Sequence, residues 1–189
     1  ELDALRRSAD ERAREFAFSQ AAGLLAKVYQ ATTDELVRGP LARRMEEWAA
    51  QALALDALVA AVPARKEPVY LMMTNGTRVL VVRAALAGVT LSRGTADAAD
   101  PVWPWRQLSP LDFASLLEIY EVHRTQPLGT ATLCRDHGLL IPAARKALAV
   151  LLATPDFPAT RVAEMFAVLW GRPVAPTDLV VRGGEVCHA

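Results

Sequence analysis

The side chains best suited to chemistry are few. Cys134, His137, Cys187 and His188 are the types that hold zinc, and Cys134-x-x-His137 has an acceptable ligand spacing. Cys187 and His188 are adjacent, however, and neighbours on an extended chain point to opposite sides, so the two do not easily face one tetrahedral ion. Cys134 with His123 would make a nucleophile and its base, but nothing in the sequence brings them together, and a buried structural thiol is the default. There is no glycine-rich phosphate loop, no G-x-S-x-G, no H-E-x-x-H and no dense acidic cluster in the sequence. Arg65-Lys66-Glu67 reads as a charged turn, not as a nuclease-type acidic pair with its lysine. No catalytic, cofactor-binding or metal-binding residue is assigned, and the chain is expected to be non-enzymatic.

Adhesive features stand out instead. Leu41, Met45, Trp48, Ala52, Leu55, Val59 and Val62 recur in steps of four and three, a heptad-like seam. Such a seam can pair with a second chain, but Ala49, Leu53 and Ala57 widen it, which favours packing on the chain's own first helix. Val102-Trp103-Pro104-Trp105 is a stiff aromatic knob that either docks into a partner's groove or caps the protein's own core. Met45, Trp48, Trp103 and Trp105 are thus the candidate interaction residues. The leading expectation is a protein–protein interaction, assembly or regulatory module, whose partner is another protein or a second copy.

A different reading comes from Leu133, Gly138, Leu139, Ala144 and Leu148, a pattern that resembles helix-turn-helix domains. The resemblance implies that Pro142–Leu152 is offered to a DNA major groove, that a hairpin around Gly183-Gly184 serves as a wing, and that Arg145, Lys146 and Arg182 meet phosphates. The sequence departs from the pattern in three ways. Cys134 stands at the usual alanine position, Arg145 and Lys146 are the only polar side chains on the reading helix, and a further helix over Pro158–Trp170 precedes the wing. A DNA-binding regulator is therefore the alternative to the assembly module.

Bulk composition bounds both. The 189 residues suffice for one large domain or two small ones, and 52% hydrophobic with 22% charged residues is globular. Lys+Arg 21 against Asp+Glu 21 leaves no net charge, unlike a dedicated nucleic-acid binder. Two cysteines make no disulfide framework, so free thiols in a reducing, intracellular compartment are expected: cytoplasm, or nucleus or virion for a viral chain. No apolar run is long enough to span a membrane. The first residue is not Met, so a processed product or an excised fragment is expected.

The elements that must position these residues follow from periodicity. Glu1–Gln30 reads as one long helix, with Leu2, Leu5, Ala9, Ala13 and Phe16 on one stripe. Thr32 and Glu35 resemble a capping box, Gly39-Pro40 breaks the chain, and the seam helix then runs to a stop at Pro63. Val69–Thr74 and Thr77–Arg83 flank Asn75-Gly76, a hairpin with a two-residue type I′ turn that sets Met73 opposite Arg78, Met72 opposite Val79 and Leu71 opposite Leu80. Val89–Ser92 supplies a third strand, and Gly94–Pro101 is a loop and a possible boundary. Ser109 caps a helix that Pro127-Leu128-Gly129 ends, and a short helix spans Thr132–His137. Leu139–Ala153 is apolar on nearly every face, the mark of a helix that other elements surround. Leu179–Arg182 and Glu185–His188 form a possible second hairpin. The expected fold is mainly α (α+β): a helical core with a small central antiparallel β-hairpin or sheet. Its segments are a helical pair over 1–66, the β element over 67–108 and a helical region over 109–189, sharing one core.

Overall fold

In the computed structural model, which describes residues 1–94 and 100–189, the stretch Glu1–Gln30 folds as two helices rather than one: α1 (Leu2–Arg14) and α2 (Phe18–Ala31). Phe16 N–H donates to the Ala13 carbonyl at 3.0 Å and Ala17 N–H to that of Arg12 at 2.9 Å, a helix-ending pattern that usually carries glycine at its left-handed position. Here Phe16 occupies that position, at φ 62°. Its ring lies edge-on to Phe18 and Phe113, with centroids 5.4 and 5.0 Å away. Tertiary packing of one ring overrides the local preference for continuous helix.

The next helix, α3 (Glu35–Ala64), also differs from expectation. Asp34, not Thr32, is its cap, accepting from Leu36 N–H at 2.9 Å, while the Thr32 hydroxyl donates to the Val28 carbonyl of α2 at 2.7 Å. Gly39-Pro40 does not break it. Pro40 withholds a hydrogen bond only from the carbonyl one turn back, at Leu36, in an exposed first turn of the helix. The helix then runs through Pro63 and stops one residue later. It packs on α2, as the widened seam predicts, with Leu41, Trp48, Leu55, Leu58 and Val62 buried.

Strands β1 (Val69–Met72), β2 (Arg78–Ala85), β3 (Gly88–Ser92) and β4 (Val102–Trp103) form a four-stranded antiparallel sheet in sequence order. The first hairpin exists, one residue out of the expected register: Met72 faces Arg78, Leu71 faces Val79 and Tyr70 faces Leu80. Met73 N–H donates to the Thr77 carbonyl and Gly76 N–H to that of Met73, so the loop has three residues and Gly76, at φ 79°, is the left-handed residue after the turn. The Asn75 side chain accepts from Thr77 N–H at 3.0 Å and fixes this longer turn. Further along β2 the register slips between Val81 and Arg83, a bulge that puts both Val82 and Arg83 across from Thr90 and returns Ala84 to the core. Of the loop expected over Gly94–Pro101, residues 95–99 lie outside the described residues.

The second half is helical: α4 (Pro110–Ile119), α5 (Val122–Thr125), α6 (Pro127–Asp136), α7 (Pro142–Ala153) and α8 (Ala159–Trp170), followed by a hairpin of β5 (Leu179–Arg182) and β6 (Glu185–His188). Ser109 caps α4 by accepting from Asp112 N–H at 3.0 Å. Pro127 begins α6 rather than ending its predecessor. The helix presses on α3 at Gly129, where a Cβ would collide with the Ala50 carbonyl. Helix α7 lies among α4, α5, α6, α8 and β6, and Ala144, Ala147 and Leu148 are fully buried, as its composition predicts. With 60% helix, the fold is mainly α with two antiparallel sheets.

Candidate functional site

The residues singled out for metal or nucleophilic chemistry do not form a centre. Among the described residues no group of three or more His, Cys, Asp or Glu side chains is placed to hold a metal ion. Cys134 lies in the core, where burial pushes its thiol up to about 12, so it stays protonated at neutral pH. His123 is buried with Nδ1 unpartnered. Burial, then the charges of Lys146 and Arg124, lower its pKa. Cys187 is half-buried and accepts from Arg145 Nη2 at 3.0 Å, and His188 stacks on Trp170 at 5.9 Å.

Two of the four expected interaction residues are interior. Trp48 is 1% exposed on α3, with Arg44 4.9 Å over its ring, and Trp105 is 2% exposed, with Nε1 donating to the Ala85 carbonyl at 3.0 Å and its ring edge-on to Phe113. Neither presents a surface. Met45 is half-buried, and Trp103 belongs to a strand, paired with Val89. Large aromatics beside apolar helices serve the chain's own core here, the commoner outcome for such residues.

Nor does α7 face outward. Arg145 is held by Glu185 at 3.1 Å and donates to the Val186 carbonyl at 3.2 Å, while Lys146 meets Glu118 at 2.8 Å. These cations knit α7 to β6 and α4, so both are engaged within the chain in this fold. Arg182 is exposed, at the turn of the hairpin.

Two arrangements went unseen in the sequence. One is a charged joint between α3, α6 and α8. Arg135 meets both oxygens of Glu47, at 2.7 and 2.8 Å, and Arg44 reaches Asp136 at 3.0 Å. Gln51 donates to Asp136 at 2.9 Å, and Arg161 meets Glu46 at 2.7 Å. Burial raises the Glu47 carboxyl, but the hydrogen bonds and charge of Arg135, with Arg44, outweigh it and hold Glu47 below the usual carboxylate range. Asp136 is lowered likewise, by Arg135, Gln51 and Arg44 against burial. Each carboxylate of the joint meets at least one guanidinium, so the joint fastens the three helices. The sequence signal was Glu47 and Gln51, one turn apart on the otherwise apolar buried side of α3.

The other is the outer face of the four-stranded sheet. Strand alternation sends Val69, Leu71, Val79, Val81, Val89 and Leu91 inward. The opposite face carries Tyr70, Met72, Val82 and Val102, exposed at 48%, 62%, 48% and 54%, with Leu80 half-buried between them. Tyr70 and Leu80 pair directly, and Val102 pairs with Thr90 beside the Val82 bulge. Arg78 lies 4.1 Å over the Tyr70 ring, and the bulge adds Arg83. Among the described residues of these strands no carboxylate shares this face.

No protein-family model matches the chain, and no curated protein or solved structure matches it. Among the described residues no helix is long and apolar enough to cross a membrane.

Proposed function

We propose that the protein is a non-enzymatic interaction module that docks another protein on the outer face of its four-stranded sheet. One observation carries the reading: Tyr70, Met72, Val82 and Val102 stand exposed on a single sheet face. Scattered exposed apolar side chains need no explanation, but a cluster on one face marks an interaction surface. The charge of the face selects the partner. Among the described residues of its strands the ions on this face are Arg78 and Arg83, so it is complementary to an apolar segment flanked by carboxylates. A second copy laid face to face would bring the same arginines to the interface, and the described residues of its strands supply no acid to pair them.

The test is fluorescence anisotropy with a labelled peptide alternating Glu with Leu and Phe, beside its Lys counterpart. The Glu peptide should bind, more weakly as salt rises, and Tyr70→Glu with Val82→Glu should abolish binding without loss of fold. Equal binding of both peptides, or no binding of the Glu peptide, removes the reading.

A further inference from the structure

The junction between α1 and α2 is closed against the preference of its own sequence. The same hydrogen-bond pattern ends α6, where Leu139 N–H donates to Cys134 and Gly138 N–H to Arg135, and there the left-handed residue is glycine, at φ 66°. At the end of α1 that position is Phe16, at φ 62°. Among the described residues Glu121 is the only other non-glycine with positive φ. A side chain in this region is strained, and aromatic packing on Phe18 and Phe113 holds it there. Without that packing, nothing between Leu2 and Gln30 stops a helix: there is no proline, and Gly23 is already helical.

Helix α1 folds back along α2. The groove between them is lined by Ser8 and Arg12 of α1, by Glu15 at its end, and by Gln20, Gly23 and Lys27 of α2. Its apolar stripe of Leu5, Ala9 and Ala13 packs principally on α2, and Ala9 is fully buried.

We infer that Phe16 is a hinge and that two copies of the chain exchange α1. Turning residues 15–17 helical joins α1 and α2 into one rod of roughly 45 Å. The rod carries α1 away from its own α2, and α1 of the second copy covers the vacated stripe with the same side chains. Short hinges under strain favour such exchange, because the contacts of α1 on α2 are recovered between chains and the strain at Phe16 is released, against the loss of its ring packing. The chain has no net charge, so two copies meet without long-range repulsion. This occupant and this surface are independent of the sheet face, so Tyr70→Glu leaves the exchange intact.

The experiment is light scattering on the full chain across concentration, before and after refolding at high concentration. Phe16→Ala and Phe16→Gly both delete the ring, but alanine keeps the strain and favours helix, whereas glycine accepts the left-handed turn. Phe16→Ala should therefore tighten dimerisation, and Phe16→Gly weaken it, each by about tenfold. In a Cys187→Ser background, mixing a Ser8→Cys chain with a Lys27→Cys chain should give a disulfide-linked heterodimer after refolding. A monomer at every concentration with no such heterodimer overturns the inference. So does a dimer that position 16 leaves unchanged.

Discussion

Arg135 grips Glu47 with two guanidinium nitrogens, at 2.7 and 2.8 Å, and so ties the end of α6 to the middle of α3. Glu47 is nearly sealed from solvent and Arg135 mostly so, with side-chain exposures of 5% and 17%. Removing Glu47 takes both of these bonds from the Arg135 guanidinium and leaves it Asp136, at 2.8 Å, as its remaining anion. Glu47→Ala should cost about 3 kcal/mol in urea unfolding, and the double variant with Arg135→Ala should cost less than the sum of the singles. Additive costs would show that the two side chains act separately.

Acid should destabilise the fold in two stages. His123 has a lowered pKa, so the unfolded chain takes up its proton first, near the ordinary 6.5. Its effect is absent above that value and grows as pH falls below it. Glu47 and Asp136 are lowered from 4.5 and 3.8, so their contribution is intact above those values and is lost as pH falls through their folded-state pKa. Urea midpoints followed downwards from neutral pH should show both declines, and His123→Leu should remove the first alone. A wild-type midpoint that is flat down to the carboxylate range would contradict this assignment.

Patterns of one element were legible in the sequence, and relations between elements were not. The burial of Ala143, Ala144, Ala147, Leu148, Ala149 and Leu151 on α7 followed from the composition of that helix, and both hairpins from their turn residues. The register slipped by one because Asn75-Gly76 suits a two-residue and a three-residue loop alike, and the Asn75 bond to Thr77 decides between them. The break at Phe16 rests on Phe113, far along the chain. Glu47 and its partners Arg135 and Arg161 are equally distant, so no window on α3 shows them together. The outer sheet face needed the corrected register and the Val82 bulge before its exposed side chains could be placed.

Close packing at α3 and α6 predicts a severe effect from one methyl group. A Cβ at Gly129 meets the Ala50 backbone and the Ala54 side chain, and backbone cannot rotate away. Gly129→Ala should cost about 2 kcal/mol despite the gain in helix propensity. A stabilised variant would mean that the two helices separate easily.

The two thiols should differ sharply in reactivity. Burial holds Cys134 at about 12 and out of contact with reagent, whereas Cys187 is half-buried on a C-terminal strand. An aromatic disulfide reagent should modify one thiol in the native chain, and the second only after unfolding. Peptide mapping that placed the fast label on Cys134 would show that the core around α6 opens readily.

Arg145 fastens the C-terminal hairpin with three contacts at once: Glu185 at 3.1 Å, the Val186 carbonyl at 3.2 Å and Cys187 Sγ at 3.0 Å. All three lie on β6, so the loss should be local. Arg145→Ala should cost about 1 kcal/mol, and hydrogen exchange should quicken in β5 and β6 before the rest of the fold. Lys146→Ala removes a half-exposed pair with Glu118 and should cost less, well under about 1 kcal/mol. The same two variants weigh the DNA alternative, because α7 reads a groove only if these cations are free. The wild-type chain should show no salt-dependent duplex binding at low ionic strength. Duplex binding that weakened in both variants would mean that α7 leaves its packing to meet DNA, and the docking role of the sheet would give way to gene control.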